Sequence, residues 1–217
     1  GNLMNFYRVA RDRKMRLHLE NLVETSLHSE ELWRKTKDIY LNPDKHKKVI
    51  RAWALWYQCN FSFGAVVTSS FARSLKENGE NLFQIKLDYM KKSFQQTINR
   101  LDNCTLLNND ALQTLNGTYN DKQTFAYIDP PYFNSDCGHY SCYTEANYIK
   151  LLTFLGTEFK GRFLLSSYQS EPLNEAIALY GWETKHITQN LAVKGKSGRT
   201  KTEVLTWNYE LTQKTLF

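Results

Sequence analysis

The chain has 217 residues, of which 41% are hydrophobic and 14% aromatic, so it is long enough to bury a core and is not a disordered segment. Its 28 Lys and Arg exceed its 22 Asp and Glu, and the resulting net charge of +6 suits a polyanionic partner without requiring one. No apolar run approaches the roughly 20 residues that cross a bilayer, and the first residues lack the apolar stretch of a signal peptide, so we expect a globular protein of the cytoplasm with no membrane partner.

The first part of the chain, about residues 1–102, predicts helices. One amphipathic helix places Trp53 and Trp56 on a single face, and a second repeats apolar residues three or four apart over 81–101. The aromatic face is more typical of a helix core than of a surface that stacks on bases. Between the two helices, residues 61–80 are polar, basic and punctuated by glycine, which predicts an exposed loop region.

From residue 103 onward, short apolar runs alternate with helical patterns. Two helices are predicted, at 144–159 and 171–180. Five strands are predicted, at 104–108, 124–128, 161–168, 182–188 and 203–209. Because strands that alternate with helices form parallel pairs, we expect a mostly parallel α/β sheet whose last two strands form a hairpin.

The strand predicted at 124–128 ends in Asp129, Pro130, Pro131 and Tyr132. Consecutive prolines cannot donate the hydrogen bonds of a sheet, and an unpaired carboxylate is costly inside one, so packing alone does not explain this ending. In open α/β sheets, ligands bind beyond the carboxyl ends of the strands. The four residues are therefore predicted to form a site.

The residue types of this motif suit a reaction at an aromatic amine. Such an amine is a poor nucleophile because its lone pair is spread into the ring, and acceptors for its two N–H groups favour the tetrahedral geometry that it needs for attack. The Asp129 carboxylate and the Pro130 carbonyl supply two acceptors, and the prolines restrict the backbone that aims them. Tyr132 offers a flat face on which a base taken out of a duplex can stack.

The motif resembles the signature of amino-methyltransferases that use S-adenosylmethionine, in the form with Asp that is associated with N6 of adenine. Four further segments occur in the order found in the Dam-type (D12-class) DNA adenine methyltransferases. They are GNLMNFYRVARD at the start, LLNNDALQTL before the motif, GRFLLSSY after it and KTEVLTWNY near the end. The ordered set covers most of the chain and is more specific than the motif alone.

The resemblance implies an α/β fold with a Rossmann-like methyltransferase sheet and a helical insertion that recognises the target. The catalytic domain is expected over 1–19 and 103–217, and the insertion over 20–102. The implied enzyme is a site-specific DNA methyltransferase, of restriction-modification or stand-alone type. It transfers a methyl group from S-adenosylmethionine to the N6 amine of an adenine flipped out of double-stranded DNA. We expect a monomer or a weak dimer.

The resemblance also assigns roles to single residues. The four residues of the motif are catalytic: Asp129 and Pro130 accept the hydrogens of the target amine, and Tyr132 stacks on the flipped adenine. Asp110 matches the acidic position that binds the adenine end of the cofactor, and the cofactor is also expected against Asp129 and Pro130. Ser166 is expected to line the same pocket without a catalytic role.

Basic residues of the insertion and of the late loop at 194–201 are predicted to contact DNA phosphates. These residues are Arg73, Lys76, Lys194, Lys196, Arg199 and Lys201. Individually, such side chains are most often solvated surface. Collectively, they predict duplex binding that weakens steeply as salt is added.

One part of the family pattern has no counterpart in this sequence. The family has a glycine-rich cofactor loop and an acidic residue that holds the cofactor ribose, whereas no G-x-G pattern precedes a helix here. In the family, both lie upstream of the segment that resembles GNLMNFYRVARD. We therefore expect a further segment, carrying the first strands of the sheet, to precede this chain in the intact protein. The alternative is a fragment with a defective cofactor site.

Several alternatives are compatible with the same residues. The chemistry could act on RNA, or on a cytosine amine, although the latter is associated with Ser in place of Asp129. The chain could also be a non-catalytic remnant that binds DNA without the cofactor. In structural terms, the motif by itself also fits a surface turn, and Asp110 by itself fits a helix cap.

The segment 135–142 contains two cysteines, a histidine and an aspartate, which are the residue types that bind zinc. Structural zinc sites usually combine two pairs of ligands at close spacing, and the other two cysteines of the chain lie far away in sequence. We therefore expect a loop after the motif and no metal. Four cysteines without paired spacing also favour a reducing compartment.

Overall fold

A computed structural model gives the fold of this chain. It describes residues 1–74, 79–132, 143–190 and 200–211, with the backbone alone at 189, 190, 200 and 201. Contacts between residues divide the chain into a helical unit, Gly1–Asn108, and a sheet unit, Asn109–Phe217. In the described part of the chain, no helix combines the length and the apolar character that crossing a bilayer requires.

The helical unit contains five α-helices among its described residues. They are α1 (Asn2–Arg11), α2 (Arg13–Glu24), α3 (Glu30–Leu41), α4 (Lys48–Phe61) and α5 (Leu82–Asn99). Helix α4 packs against α1, α2 and α3, and its Trp53, Trp56 and Tyr57 are buried. The prediction that this aromatic face is helix core is therefore confirmed.

Side-chain caps explain where several of these helices begin. Asp12, Ser29 and Asn81 each accept hydrogen bonds from the first backbone N–H groups of α2, α3 and α5. The region from 61 to 80, expected to be an exposed loop, contains a short 3-10 turn at Phe63–Ala65. It is buried at Phe61, Ser62 and Ala72, and its other described residues are partly or fully exposed.

The sheet unit contains three α-helices and four strands among its described residues. In chain order they are α6 (Ala111–Asn116), β1 (Phe125–Ile128), α7 (Glu145–Thr157), β2 (Arg162–Tyr168), α8 (Glu171–Tyr180), β3 (Glu183–Asn190) and β4 (Thr200–Trp207). The strands lie in the order β1, β2, β4, β3. Strands β1 and β2 are parallel, and β4 is antiparallel to both β2 and β3.

Helices α7 and α8 pack on one face of this sheet. Alternate residues of β2, including Phe163 and Leu165, point into that core, and neighbouring strands contribute Ala126 and Val204. A Cβ at position 156 would lie 2.4 Å from the ring of Tyr180, so the glycine there allows α7 to approach α8 closely. The site described below lies at one end of this sheet.

Two expectations about the sheet are wrong for the described strands. Strand β4 pairs antiparallel with β3, as the predicted hairpin requires. On its other side β4 also pairs antiparallel with β2, so the sheet is not mostly parallel. The strand predicted at 104–108 does not form: these residues are neither helix nor strand, and Leu107 is 47% exposed. An apolar run becomes a strand only where a neighbouring strand completes its hydrogen bonds.

The boundary at 108/109 does not coincide with the functional boundaries expected from the sequence. Residues 1–19 belong by contact to the helical unit, where α1 packs on α4 and the Asn5 amide donates to the Lys48 carbonyl at 2.8 Å. The assignment of 1–19 to a catalytic domain concerns function and stays a prediction.

Candidate active site at the carboxyl end of strand β1

The motif Asp129 to Tyr132 directly follows β1. In the parallel register of β1 and β2, Ile128 lies beside Leu165, so the residues after β1 meet the last residues of β2, Ser166 to Tyr168. The two strands therefore end at the same edge of the sheet. This is the edge at which open α/β sheets bind ligands.

The Tyr132 hydroxyl connects the motif to β2. It donates to Asp129 Oδ1 at 3.2 Å and lies 3.1 Å from Ser166 Oγ. Because the phenol proton is directed to the carboxylate, the Ser166 hydroxyl is the donor in the second bond. Ser166 is only 4% exposed, whereas Asp129 is exposed. A chain of hydrogen bonds thus runs from the buried strand to a carboxylate at the surface.

The surroundings of Tyr132 keep its hydroxyl neutral. Burial, together with the negative charges of Asp129 and Glu203, raises the pKa of Tyr132 to about 12, although the hydrogen bond from Ser166 opposes the shift. The phenol is therefore protonated at neutral pH and remains a donor to Asp129. The Tyr168 ring packs against Tyr132 with centroids 4.2 Å apart and an angle of 54° between the planes, so it occupies one side of the Tyr132 ring.

The next serine of β2 makes a similar contact on the opposite face of the sheet. Ser167 is 2% exposed and accepts a hydrogen bond from the Tyr148 hydroxyl of α7 at 2.9 Å. Burial raises the pKa of Tyr148 and of Tyr143 to about 12. This second pair belongs to the core between α7 and the sheet.

A small void lies beside the motif. It has a volume of about 10 Å³, which is room for roughly one water molecule, and its lining includes Pro131, Tyr132 and Tyr148. The exposed Asp129 does not line it. This void is far smaller than a nucleoside, and residues 133–142, which follow the motif, lie outside the described ranges.

Asp110, the expected cofactor ligand, has a structural role that needs no ligand. It is the N-cap of α6, and its carboxylate accepts a hydrogen bond from the Gln113 backbone N–H at 3.0 Å. It also lines an open cleft of about 650 Å³ between α6 and α7, together with Lys150 and Glu158. Asp129 does not line this cleft, and Asp110 does not line the void beside Tyr132. Its cofactor role stays a prediction.

Arg73 is the one predicted DNA contact whose side chain the structure describes. Its guanidinium forms an ion pair with Glu30 and lies over the Phe71 ring, 5.5 Å from the centroid. Glu30 also pairs with Arg34. Arg73 is thus engaged within the helical unit and its charge is partly neutralised. The structure does not describe the side chains of the other predicted DNA contacts, which are Lys76, Lys194, Lys196, Arg199 and Lys201.

The candidate zinc ligands of the sequence lie outside the described part of the chain. Within the described ranges, no group of three or more His, Cys, Asp or Glu side chains could hold a metal ion. The cysteine and histidine segment at 135–142 lies outside those ranges. Cys59 and Cys104 are free thiols.

The motif lies after β1, as the sequence predicts, but its neighbours are not predicted by the sequence. Ser166 has no expected partner, and neither Tyr168 nor Glu203 is expected near Tyr132. The available signal was the pair of serines inside an apolar strand, because buried hydroxyls are nearly always hydrogen-bonded and adjacent strand residues face opposite sides. That signal predicts two partners on two faces, but not which residues they are.

No protein-family model matches this chain, and no curated protein matches it significantly. Its function is therefore inferred from its own residues. The relevant features are the motif after β1, its contacts with β2 and the charges of the two units.

Proposed function

We propose that this chain belongs to a site-specific DNA methyltransferase that acts on the N6 amine of adenine and is built on a Rossmann-like sheet. One observation carries the proposal: the motif Asp129 to Tyr132 lies where two parallel strands end, and a buried serine of the second strand is hydrogen-bonded to its tyrosine. A surface turn with no function would not require this support.

Asp129 is suited to accept a hydrogen of the target amine. Its Oδ1 accepts from Tyr132, whereas Oδ2 has no hydrogen-bond partner among the residues that the structure describes. Oδ2 and the Pro130 carbonyl would hold the two N–H groups of the amine and favour tetrahedral geometry at the nitrogen. No strong base is needed, because the proton leaves readily once the nitrogen has become cationic.

Tyr132 is suited to receive the flipped base. Since Tyr168 occupies one side of its ring, the adenine would stack on the other side. Its hydroxyl donates to Asp129, and the raised pKa of Tyr132, about 12, extends this protonated state well above neutral pH. Tyr132 would therefore both support the base and orient the carboxylate toward its amine.

The methyl group would come from S-adenosylmethionine, which the resemblance assigns to Asp110, Asp129 and Pro130. The described residues do not by themselves fit this cofactor, because Asp110 lines a separate cleft and the void beside Tyr132 has a volume of only about 10 Å³. The described residues are therefore assigned only to the base and its amine.

The absence of the family's glycine-rich loop from this sequence favours a second candidate function, duplex binding without catalysis. A chain with no cofactor site among its described residues could still hold DNA through its basic side chains. RNA, or the amine of a cytosine, would be an alternative substrate of the same chemistry. The resemblance associates Asp at position 129 with adenine and Ser with cytosine, so adenine is the preferred target.

The deciding experiment measures transfer of labelled methyl from S-adenosylmethionine to unmethylated duplex DNA by the full-length gene product, followed by nucleoside analysis. Labelled N6-methyladenine is the expected product. Labelled cytosine, or transfer to structured RNA alone, would change the substrate. No transfer with duplex binding retained would make the second function the better one.

Two variants test the role of the carboxylate in the same assay. Asp129→Ala should abolish transfer with the fold intact, because the residue is exposed. Glu175→Ala, which removes an exposed carboxylate from α8, is the matched control and should retain full activity. Substantial activity of Asp129→Ala would refute the assignment.

A further inference from the structure

The positive charge of the protein resides in the helical unit. Residues 1–108 contain 18 Lys and Arg against 11 Asp and Glu, whereas the sheet unit contains 10 against 11. One concentration of basic residues lies where α1 ends and α2 begins. We refer to this group as the α1–α2 corner, which consists of Arg8, Arg11, Arg13 and Lys14.

The corner holds its four charges close together without a long loop. Arg8 and Arg11 occupy the last turn of α1, and Arg13 and Lys14 begin α2. A single residue with extended backbone, Asp12, separates the two helices. All four basic side chains are exposed.

Half of the corner opposes the helix dipole. Arg8 and Arg11 lie at the negative end of the α1 dipole, where basic residues are stabilising. Arg13 and Lys14 lie at the positive end of α2, whose first turn contains no acidic residue. The adjacent carboxylate, Asp12, accepts from the backbone N–H groups of Lys14 and Met15 at 3.0 and 2.9 Å. A sequence that places cations against a dipole breaks a local rule, and such exceptions concentrate at functional sites.

Three other basic side chains of the helical unit have ion-pair partners. Arg34 and Arg73 share Glu30, and Arg16 lies 3.4 Å from Asp102. Across the described residues, by contrast, none of the four corner side chains has an ion-pair partner. The four cations of the corner therefore outnumber its one carboxylate, Asp12, whereas the predicted contact Arg73 is paired with Glu30.

We propose that the α1–α2 corner binds the phosphate backbone of duplex DNA. The identity of the polyanion rests on the proposed function, and the surface itself rests on the charges and their placement. Guanidinium groups match the geometry of phosphate oxygens, and three of the four corner side chains carry one. The corner contacts the backbone and not base edges, so it strengthens binding to every sequence equally.

The test compares salt dependence of duplex binding by the full chain. Each phosphate contact contributes about 0.9 to the slope of log Kd against the logarithm of the salt concentration. The variant Arg11→Gln, Arg13→Gln, Lys14→Gln loses up to three such contacts, so its slope should be lower by about 2 to 3. Its unfolding temperature should change little, because the loss of the favourably placed Arg11 at the end of α1 is offset by the removal of two cations from the positive end of α2. Fluorescence anisotropy with a labelled duplex and thermal unfolding give the two readouts.

The matched control removes three charges from another basic segment of the same unit. Lys45, Lys47 and Lys48, around the start of α4, are likewise exposed and have no ion-pair partner among the described residues. The variant Lys45→Gln, Lys47→Gln, Lys48→Gln should change the slope by less than about 1, because the proposed phosphate contacts lie at the corner. Equal changes in both variants, or an unchanged slope in the corner variant, would overturn this inference alone. Absence of duplex binding by the unsubstituted chain would overturn the proposed function together with it.

Discussion

Strand β2 carries two adjacent serines that contact tyrosines on opposite faces of the sheet. Ser167 accepts from Tyr148 within the core, at 2.9 Å. Ser166 lies 3.1 Å from the Tyr132 hydroxyl, which donates in turn to the exposed Asp129. In both cases burial is the main cause that raises the tyrosine pKa to about 12.

The two pairs share their chemistry and differ in where they end. The Tyr148 pair lies between α7 and the sheet, so it stabilises the packing of that helix. The Tyr132 pair ends in a carboxylate at the open edge, so it orients a group that a substrate can reach. A buried tyrosine–serine contact is therefore not a functional signal by itself; the exposed charge at its end makes the difference.

The largest effect on methyl transfer is expected from a change at Asp129, the exposed residue to which Tyr132 donates. Asp129→Asn keeps the shape of the side chain and removes its charge, so methyl transfer should fall by about 100-fold or more. The unfolding temperature should not change, because Asp129 is exposed. Single-turnover transfer and thermal unfolding measure the two quantities. An unchanged transfer rate would show that the charge of Asp129 has no part in the reaction, and no functional difference between the two tyrosine–serine pairs would remain.

The next effect concerns the pair in the core. Tyr148→Phe leaves the buried Ser167 hydroxyl without its donor, so the free energy of unfolding should fall by about 1 to 3 kcal/mol. Transfer per folded molecule should stay unchanged. Urea unfolding measures the loss, and Tyr132→Phe is the matched variant, which should be less destabilising because its hydroxyl lies closer to solvent. The reverse order would contradict the comparison.

A smaller effect on transfer is expected from Tyr132→Phe. The variant keeps the stacking face but removes the hydrogen bond that orients Asp129, and the loss of one such bond corresponds to about a tenfold lower rate. Ser166→Ala should act in the same direction. Because both act through one hydroxyl, the double variant should be no slower than Tyr132→Phe alone. Additive losses would show that Ser166 acts independently.

The last prediction is a loss of stability at alkaline pH. The pKa values of Tyr132, Tyr143 and Tyr148 are raised from 10.0 to about 12, so the unfolded chain releases these protons first as the pH rises. The free energy of unfolding should therefore hold below pH 10 and decline between pH 10 and 12. Urea unfolding across this range should show a shallower decline for Tyr148→Phe than for the unsubstituted chain.

Local patterns were sufficient to place most elements of the sheet unit. The strands predicted at 124–128 and 161–168 and the helix predicted at 171–180 agree with β1, β2 and α8, because alternation, apolar spacing and breaking residues act over a few neighbours. The run at 104–108 has the composition of a strand but remains without regular structure. Its failure reflects the requirement for a second strand, which composition does not report.

By itself, the sequence determined the α/β class and the position of the Asp129 to Tyr132 motif after a strand, because both follow from residues adjacent in the chain. Only the tertiary structure decided that β4 lies between β2 and β3, that Ser166 supports Tyr132, and that Arg73 is paired with Glu30. These outcomes join residues tens of positions apart. Many candidate partners have the same residue type, and packing of the elements selects among them.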